Sequence, residues 1–191
     1  MVLVDQLLDG WLGRRAPVRA AWDTWLRVRN EWAGNRPTEV ESGCWIGAVP
    51  SQRRWRELEA AGVTHMVSLV GESSPPSWLA SAAAVLWLPV SDRAGPALAQ
   101  LRAGVEFLDA ARAAKRRVLV FCGSGSGRAP TLYAAWLIAR DGVTPAAAIE
   151  RLHDRRAIVA PTPRQLAALE SWANVATDWP YSLKRRGRTV C

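Results

Sequence analysis

Four apolar runs along the chain predict the strands of a sheet. The run Val118–Phe121 is wholly apolar, β-branched or aromatic, which is the pattern of a strand buried on both faces. Val63–Val70 and Val85–Val90 are mostly apolar and are predicted to be the second and third strands. Trp45–Val49 is expected to be the first strand, with an edge of the sheet as its place. The residues before it, Asn35–Ser42, are expected to be a connector because Pro and Gly interrupt the pattern there.

Between these runs, apolar residues recur at intervals of three and four positions, which predicts helices. Pro75–Ala83 is expected to be a loop or a short helix. The helices are predicted over Gln52–Ala61, Leu98–Ala114, Ala129–Arg140, Pro145–Arg155 and Pro163–Thr177. Alternating strands and helices favour an α/β fold, with a single mostly parallel sheet of four or five strands flanked by helices.

A further helical pattern precedes this unit. Val2–Leu12 and Val18–Ala33 both have helical spacing, and the second carries several tryptophans close to one face. Such a stripe usually packs on its own domain or on a second copy; binding to a membrane surface is the less favoured alternative. We therefore divide the chain into an N-terminal helical extension with a connector (1–41), an α/β domain (42–178) and a basic C-terminal tail (179–191).

The segment that joins the central strand to the next helix carries the candidate chemistry. Cys122 follows the strand directly and Arg128 opens the helix, and between them lie only small residues: Gly123, Ser124, Gly125, Ser126 and Gly127. Such a loop can turn backbone N–H groups toward an anion, and the helix dipole adds positive potential. The same surroundings stabilise a nucleophilic thiolate, and a guanidinium can hold two phosphoryl oxygens. The pattern indicates a cysteine directed at phosphorus, with residues 123–128 binding the phosphate.

Cys-x-x-Gly-x-x-Arg at a strand-to-helix turn, met by Cys122, Gly125 and Arg128, resembles the cysteine-dependent protein tyrosine phosphatases, and their compact dual-specificity branch in particular. Three other segments are similar to that branch in the same order: CWIGAVPS with GVTHMVSLVGE, then LWLPVSDRAGP, then PTPRQLAALESW. The resemblance spans Ser42–Trp172. It implies hydrolysis of a phosphate monoester, on a protein or a small molecule, through a phosphocysteine intermediate and without a metal or cofactor.

The resemblance also implies roles for individual side chains. Cys122 would be the nucleophile, Asp92 the general acid, and Gln165 a residue that orients the attacking water. An aspartate after a strand is usually a turn former or a helix cap. However, loops at the carboxyl ends of parallel strands converge on one crevice, which supports Asp92. Asp109 and Asp154 fall within predicted helices and are weaker candidates.

Two positions depart from the family pattern. The family usually has histidine where this chain has Phe121, and serine or threonine where it has Ala129. The histidine helps to organise the loop around the thiolate, and the hydroxyl helps the thiolate to leave the phosphocysteine. We therefore expect a less firmly held thiolate and a slower second chemical step.

The amino-acid composition limits which partners, metal sites and cellular compartments are expected. The chain carries a formal charge of +8, from 25 Lys and Arg against 17 Asp and Glu. The acid-free stretch Lys184–Arg188 is expected to be a solvated tail; contact with an anionic membrane is the less favoured alternative, and no binding motif supports nucleic acid. Three widely spaced cysteines argue against a disulfide framework, and no Cys/His spacing predicts a metal site. With no signal peptide or membrane-length apolar run in view, a cytoplasmic protein is expected.

Arg155 and Arg156 are expected to form a solvated face, and His65 to have a local partner.

Three alternatives stay open at this stage. A module of the same fold could bind phosphate without turnover, as Phe121 and Ala129 suggest. A rhodanese-like sulfurtransferase also places a cysteine after a strand, but the downstream segments fit it less well. A nucleotide-binding loop would need a lysine and a different glycine spacing. Because the loop has no lysine, a monophosphate is favoured over highly phosphorylated inositol lipids, with phosphotyrosine first, then phosphoserine, phosphothreonine or a metabolite.

Overall fold

The strands pair in the order β1-β2-β5-β3-β4, and every pair is parallel except β1 with β2. The computed structural model describes residues 36–176, and the predicted N-terminal helices and basic tail lie outside this range. The strands are β1 Thr38–Glu41, β2 Cys44–Ala48, β3 Val63–Val70, β4 Ala84–Val90 and β5 Arg117–Cys122. The helices are α1 Gln52–Ala60, α2 Leu98–Ala113, α3 Arg128–Asp141, α4 Pro145–Arg155 and α5 Pro163–Ala176, with a 3₁₀ helix at Ser77–Ser81. The predicted α/β class with a mostly parallel sheet is confirmed.

One prediction about the sheet is wrong. Part of the expected connector, Thr38–Glu41, is the strand β1, which pairs antiparallel with β2. The strand predicted at Trp45–Val49 therefore lies inside the sheet, between β1 and β5. β1 reads TEVE and buries only Val40, so it has no apolar run by which the sequence could reveal it. Because β1 is hydrogen-bonded into the sheet, the α/β domain includes residues that precede the predicted boundary at 42.

The central strand β5 sends alternate residues into two separate cores, as the two-residue period of a strand requires. Val118, Val120 and Cys122 belong to the larger core, which α2, α3, α4 and α5 cover. Leu119 and Phe121 belong to a smaller core with α1 and the 3₁₀ helix. Phe121 therefore lies on the face of the sheet opposite Cys122, where it packs as an apolar side chain.

Helix α3 is buried along nearly its whole length, from Arg128 to Ala139, since the sheet and three helices surround it. This burial fixes the start of the helix, and with it the end of the loop that follows β5. Trp136 on α3 donates its indole N–H to Asp109 of α2 at 2.6 Å. Asp109 thus has a structural partner far from the carboxyl ends of the strands. Among residues 36–176, no helix is long and apolar enough to span a bilayer.

Candidate active site

The loop from Cys122 to Gly127 directs its carbonyl groups outward. Residues around the loop supply the hydrogen bonds: Val49 N–H to Cys122 O at 2.9 Å, Ala160 N–H to Ser126 O at 2.8 Å, and both the N–H and the hydroxyl of Thr131 to Gly127 O at 2.9 Å. In a planar trans peptide the C=O and the next N–H point in opposite directions. The N–H groups of the loop therefore face its concave side, as the sequence predicted for an anion site.

Cys122 lies at the base of this concave loop. Its side chain is 1% exposed, and its Sγ accepts the N–H of Gly125 at 3.2 Å. Gly125 has a φ of 70°, and a Cβ there would stand 2.4 Å from the carbonyl carbon of Gly47 on β2. The loop thus rests directly on the backbone of β2, and only glycine fits at the contact point.

Arg156 supports the same loop from behind, and the prediction of a solvated side chain is wrong for it. The side chain is 5% exposed. Its Nε donates to Gly125 O at 2.9 Å, Nη2 lies 3.5 Å from Ser124 O, and Nη1 donates to Thr38 Oγ1 on β1 at 2.8 Å. Burial lowers the pKa of Arg156, and the nearby Cys122 opposes that shift. Arg155 is exposed, as predicted.

The guanidinium of Arg128 is anchored through one nitrogen. Nη1 donates to Val90 O at 2.7 Å and approaches Leu69 O at 3.4 Å, at the ends of β4 and β3, and it reaches both carboxylate oxygens of Glu72 at 2.8 and 3.1 Å. Nη2 lies over the loop and close to Gly123, where an added Cβ would be only 2.9 Å from this nitrogen. Burial disfavours the charged form of Arg128, but the negative charges of Cys122, Glu72 and Asp92 outweigh it and raise its pKa.

Glu72 was not singled out from the sequence, yet it links two predicted site residues. Besides holding Arg128, its Oε1 accepts the backbone N–H of Asp92 at 2.6 Å. Burial disfavours its carboxylate, but the hydrogen bonds and charge of Arg128 are stronger, so the pKa of Glu72 lies below its usual range. Its position just beyond β3, next to the central strand, is the signal that could have revealed it.

Asp92 lies where the prediction required, in the loop after β4. Its Oδ1 is 3.2 Å from Nη2 of Arg128, and its side chain is 53% exposed. The structure therefore brings Cys122, Arg128 and Asp92 to one site, with the carboxylate at the solvent side and the sulfur at the base. Asp154 is exposed on α4, and Asp109 is hydrogen-bonded to Trp136.

Gln165 joins the loop of Asp92 to the phosphate-binding loop. It is 1% exposed, it accepts the Thr162 N–H at 2.9 Å, and it donates to Ala94 O at 3.2 Å. A Cβ on Gly127 would stand 2.7 Å from its Oε1, so the amide touches the loop directly. The buried Gln165 side chain therefore connects the two loops. Its role in orienting the attacking water stays a prediction.

The remaining predicted features have plain structural explanations. Ala129 is fully buried against the larger core, directly after Arg128. His65 shares a hydrogen bond with Thr64 Oγ1 at 3.0 Å and lies against Phe107. In the described part of the chain, no three His, Cys, Asp or Glu side chains converge as they would around a metal ion.

Comparison with known proteins agrees with this geometry. Residues 44–175 match the family model described as "Dual specificity phosphatase, catalytic domain". The chain is 26% identical over 152 residues to dual specificity protein phosphatase 1 of Arabidopsis thaliana, covering 76% of this chain and 74% of that protein. It is also 26% identical over 126 residues to human dual specificity protein phosphatase 4, where the match covers 65% of this chain and only 32% of the relative.

Solved structures support the same fold. The crystal structure of PTPMT1 in complex with PI(5)P superposes with a TM-score of 0.69 at 25% identity, covering 74% of this chain and 97% of that one. The match to the family model spans well over half of the chain, and it includes the loop and the Asp92 segment whose geometry is given above. On these grounds the chain belongs to the dual specificity phosphatase family.

Proposed function

We propose that the protein hydrolyses phosphate monoesters through a phosphocysteine intermediate formed on Cys122. The observation that carries the proposal is the arrangement of the loop, which directs its carbonyls outward and places the Cys122 sulfur 3.2 Å from the Gly125 N–H. Arg128 stands at the mouth of the same loop. An oxyanion bound there would meet backbone N–H groups, one guanidinium and a sulfur nucleophile.

The first chemical step transfers the phosphoryl group to sulfur. The Cys122 thiolate forms a P–S bond as the P–O bond to the leaving group breaks, and Asp92 gives its proton to the departing oxygen. Loop N–H groups and Arg128 stabilise the charge on the remaining phosphoryl oxygens. A phosphate oxygen at Nη2 would replace the Asp92 carboxylate, which lies 3.2 Å from that nitrogen. The carboxyl group then becomes free to face the leaving oxygen.

The second step returns the free enzyme. Water attacks phosphorus, Asp92 takes a proton from it, and the P–S bond breaks to release phosphate and the thiolate. Gln165 is the candidate for orienting this water. Ala129 cannot donate a hydrogen bond to the departing sulfur, so this step is the one that limits turnover in the proposal.

The substrate class follows from the loop composition. Arg128 is the one charged residue from Gly123 to Arg128, and the other side chains of that range are hydrogen or the hydroxymethyl groups of Ser124 and Ser126, whose oxygens lie 2.7 Å apart. A single monophosphate fits this charge best, and we place phosphotyrosine on a protein first. The similarity to a structure that holds PI(5)P, a lipid with one ring phosphate, supports a phosphoinositide monophosphate as the second candidate.

The test is a turnover assay on an aryl phosphate, followed by a panel of phosphopeptides and phosphoinositides. We expect hydrolysis that vanadate inhibits and a chelator does not. Asp92→Asn should lower kcat by about 10²–10⁴-fold on substrates with a poor leaving group. The exposed Asp154→Asn is the matched control and should leave kcat unchanged.

Two other outcomes would replace the proposal. If the wild-type protein binds vanadate but turns over no substrate in the panel, it is a phosphate-binding module, as Phe121 and Ala129 permit. If it transfers sulfur from thiosulfate to cyanide, the rhodanese-like alternative is correct. In both cases the family assignment stands, because it does not depend on activity.

A further inference from the structure

A second group of cations lies at the opposite end of the sheet from Cys122. A cavity of about 250 Å³ is lined by Ser42 and Gly43 from the β1–β2 turn and by Arg112, Lys115, Arg116 and Arg117 from the α2–β5 connection. We call these six residues the basic pocket. Arg117 begins β5 and Cys122 ends it, so the two sites are about 16 Å apart at roughly 3.3 Å per residue. No small anion could touch both.

In the part of the chain that the structure describes, the four cations of the basic pocket have no acidic partners. Arg112 Nη1 donates to Ser42 O at 2.7 Å, and Arg117 Nη1 donates to Ala61 O. These carbonyl groups orient the two side chains without neutralising them. Over residues 36–176, no carboxylate lies within ion-pair distance of any of the four cations.

Cations elsewhere at this end of the sheet are paired. Arg140 holds Glu41 through two hydrogen bonds at 2.7 and 2.9 Å and also bonds Asp141, which in turn pairs with Arg151. Within residues 36–176, the cations at this end of the sheet that have no ion pair are therefore those of the basic pocket. Glu39 on β1 accepts the Gly43 N–H at 2.8 Å.

A role in stabilising the fold explains only some of the four cations of the basic pocket. Cations stabilise the negative end of a helix dipole within its last turn, and Arg112 lies in the last turn of α2. Arg116 lies in the turn after α2 and Arg117 begins β5, so neither is part of the last turn of the helix. Lys115 takes a left-handed backbone, φ 54°, where glycine or asparagine would be the favourable residue. A cation thus occupies a position that the fold itself does not favour for it.

We propose that the basic pocket binds a compact anion carrying at least two phosphate groups. Three guanidinium groups and one ammonium group around a small cavity suit closely spaced phosphates, because each guanidinium can hold two oxygens. An extended acidic peptide or a nucleic acid would need a longer stripe of charge. Since the pocket faces away from Cys122, this anion is a ligand and not a substrate, and its binding does not depend on the proposed activity.

The test measures binding of tripolyphosphate and of inositol hexakisphosphate to the full chain by calorimetry, with vanadate occupying the loop at Cys122. A binding event that persists under vanadate is expected. The variant Lys115→Gln/Arg116→Gln removes two cations whose side chains donate no hydrogen bond within residues 36–176 and keeps the backbone hydrogen bonds of both residues, so it should fold normally. It should weaken this binding by at least about tenfold, since charge-assisted hydrogen bonds are lost. Arg56→Gln/Arg102→Gln, which removes two exposed cations elsewhere, should keep the affinity.

Several results would overturn the proposal. These are the absence of any vanadate-insensitive binding, an equal loss in both double variants, and tighter binding of a glutamate-rich peptide than of either polyphosphate. A parallel arm uses vesicles with and without a phosphoinositide bisphosphate. Vesicle binding that soluble inositol hexakisphosphate displaces would support the same phosphate chemistry and identify a lipid headgroup as its source. Binding of the soluble anions without vesicle binding would support a soluble source.

Discussion

Cys44 and Cys122 are equally buried cysteines in neighbouring parallel strands, at 3% and 1% exposure, yet their surroundings differ. Burial raises the pKa of the Cys44 thiol and the carboxylate of Glu41 adds to the effect, while the Tyr133 hydroxyl and the charges of Arg112 and Arg140 oppose it only in part. The sulfur of Cys122 faces a backbone N–H and two guanidinium groups, those of Arg128 and Arg156.

The surroundings of the two cysteines differ because Cys44 and Cys122 lie at opposite ends of the parallel strands. Cys44 begins β2, at the amino ends of the parallel strands, where a carboxylate and a phenol lie nearby. Cys122 ends β5, at the carboxyl ends, where the loop N–H groups and the start of α3 add positive potential. A buried thiol alone is inert, and the end of the strand on which it lies decides its chemistry.

The largest expected effect separates the two cysteines directly. Cys122→Ser should lower the rate of aryl phosphate hydrolysis by at least about 10⁴-fold, because the nucleophile is lost. Cys44→Ser should retain activity. Iodoacetate should inactivate the wild-type protein by modifying Cys122, with protection by vanadate. Inactivation through Cys44 alone, located by peptide mapping, would contradict the comparison.

The next effect concerns the guanidinium that supports the loop from behind. Arg156→Met removes hydrogen bonds to Gly125 O and Ser124 O, so the loop N–H groups should lose their alignment. We expect kcat to fall by about 10–100-fold, as for the loss of one or two charge-assisted bonds. Vanadate affinity should fall in parallel, which a loss of stability alone would not produce. Arg155→Met, a change of the exposed neighbour, is the control.

A smaller effect tests the missing hydroxyl. Ala129→Ser should speed the breakdown of the phosphocysteine by roughly up to tenfold, because a hydroxyl could stabilise the departing thiolate. Rapid-quench measurement should show a lower initial burst and a faster steady state. An unchanged burst would mean that Ala129 is not the reason for a slow second step.

The smallest effect is a pH dependence of stability. The pKa of Glu72 is lowered in the folded protein, so its carboxylate contributes stability above its unfolded pKa, about 4.3, and this contribution is lost as the pH falls through the lower folded value. The side chain is 35% exposed, so the contribution should be about 1 kcal/mol or less. Glu72→Gln should therefore lower the free energy of unfolding at pH 7, and the difference from the wild type should shrink as the pH falls below about 4.3. A difference that does not change with pH would disagree with this assignment.

Much of the site could be predicted because it follows directly on a strong pattern. The run Val118–Phe121 predicted the central strand, the small residues after it predicted the loop, and Arg128 indicated where the helix begins. Asp92 was predicted from the resemblance of its segment to the general-acid loop of the family, together with the position of that loop after a parallel strand at the same end of the sheet. In each case the local sequence and the overall topology give the same answer.

The residues that were missed depend on long-range contacts. Arg156 follows another arginine at the end of α4, and only its extended backbone, φ −145° and ψ 91°, turns it inward toward Gly125. β1 has one buried residue in four, because an edge strand contacts a neighbour on only one side. Glu72 gains its role from Arg128, 56 positions further along the chain. No local pattern encodes such partners.

The division of tasks within the Arg128 side chain has a kinetic consequence. One terminal nitrogen is fixed by two strands and a carboxylate, and the other is left at the mouth of the loop. The Asp92 carboxylate, 3.2 Å from that second nitrogen, is then the one group that an incoming oxyanion must displace, so association should proceed in a single fast phase without movement of the guanidinium. A lysine has only one nitrogen and could serve the fold or the incoming anion but not both, so Arg128→Lys should make association slow and biphasic.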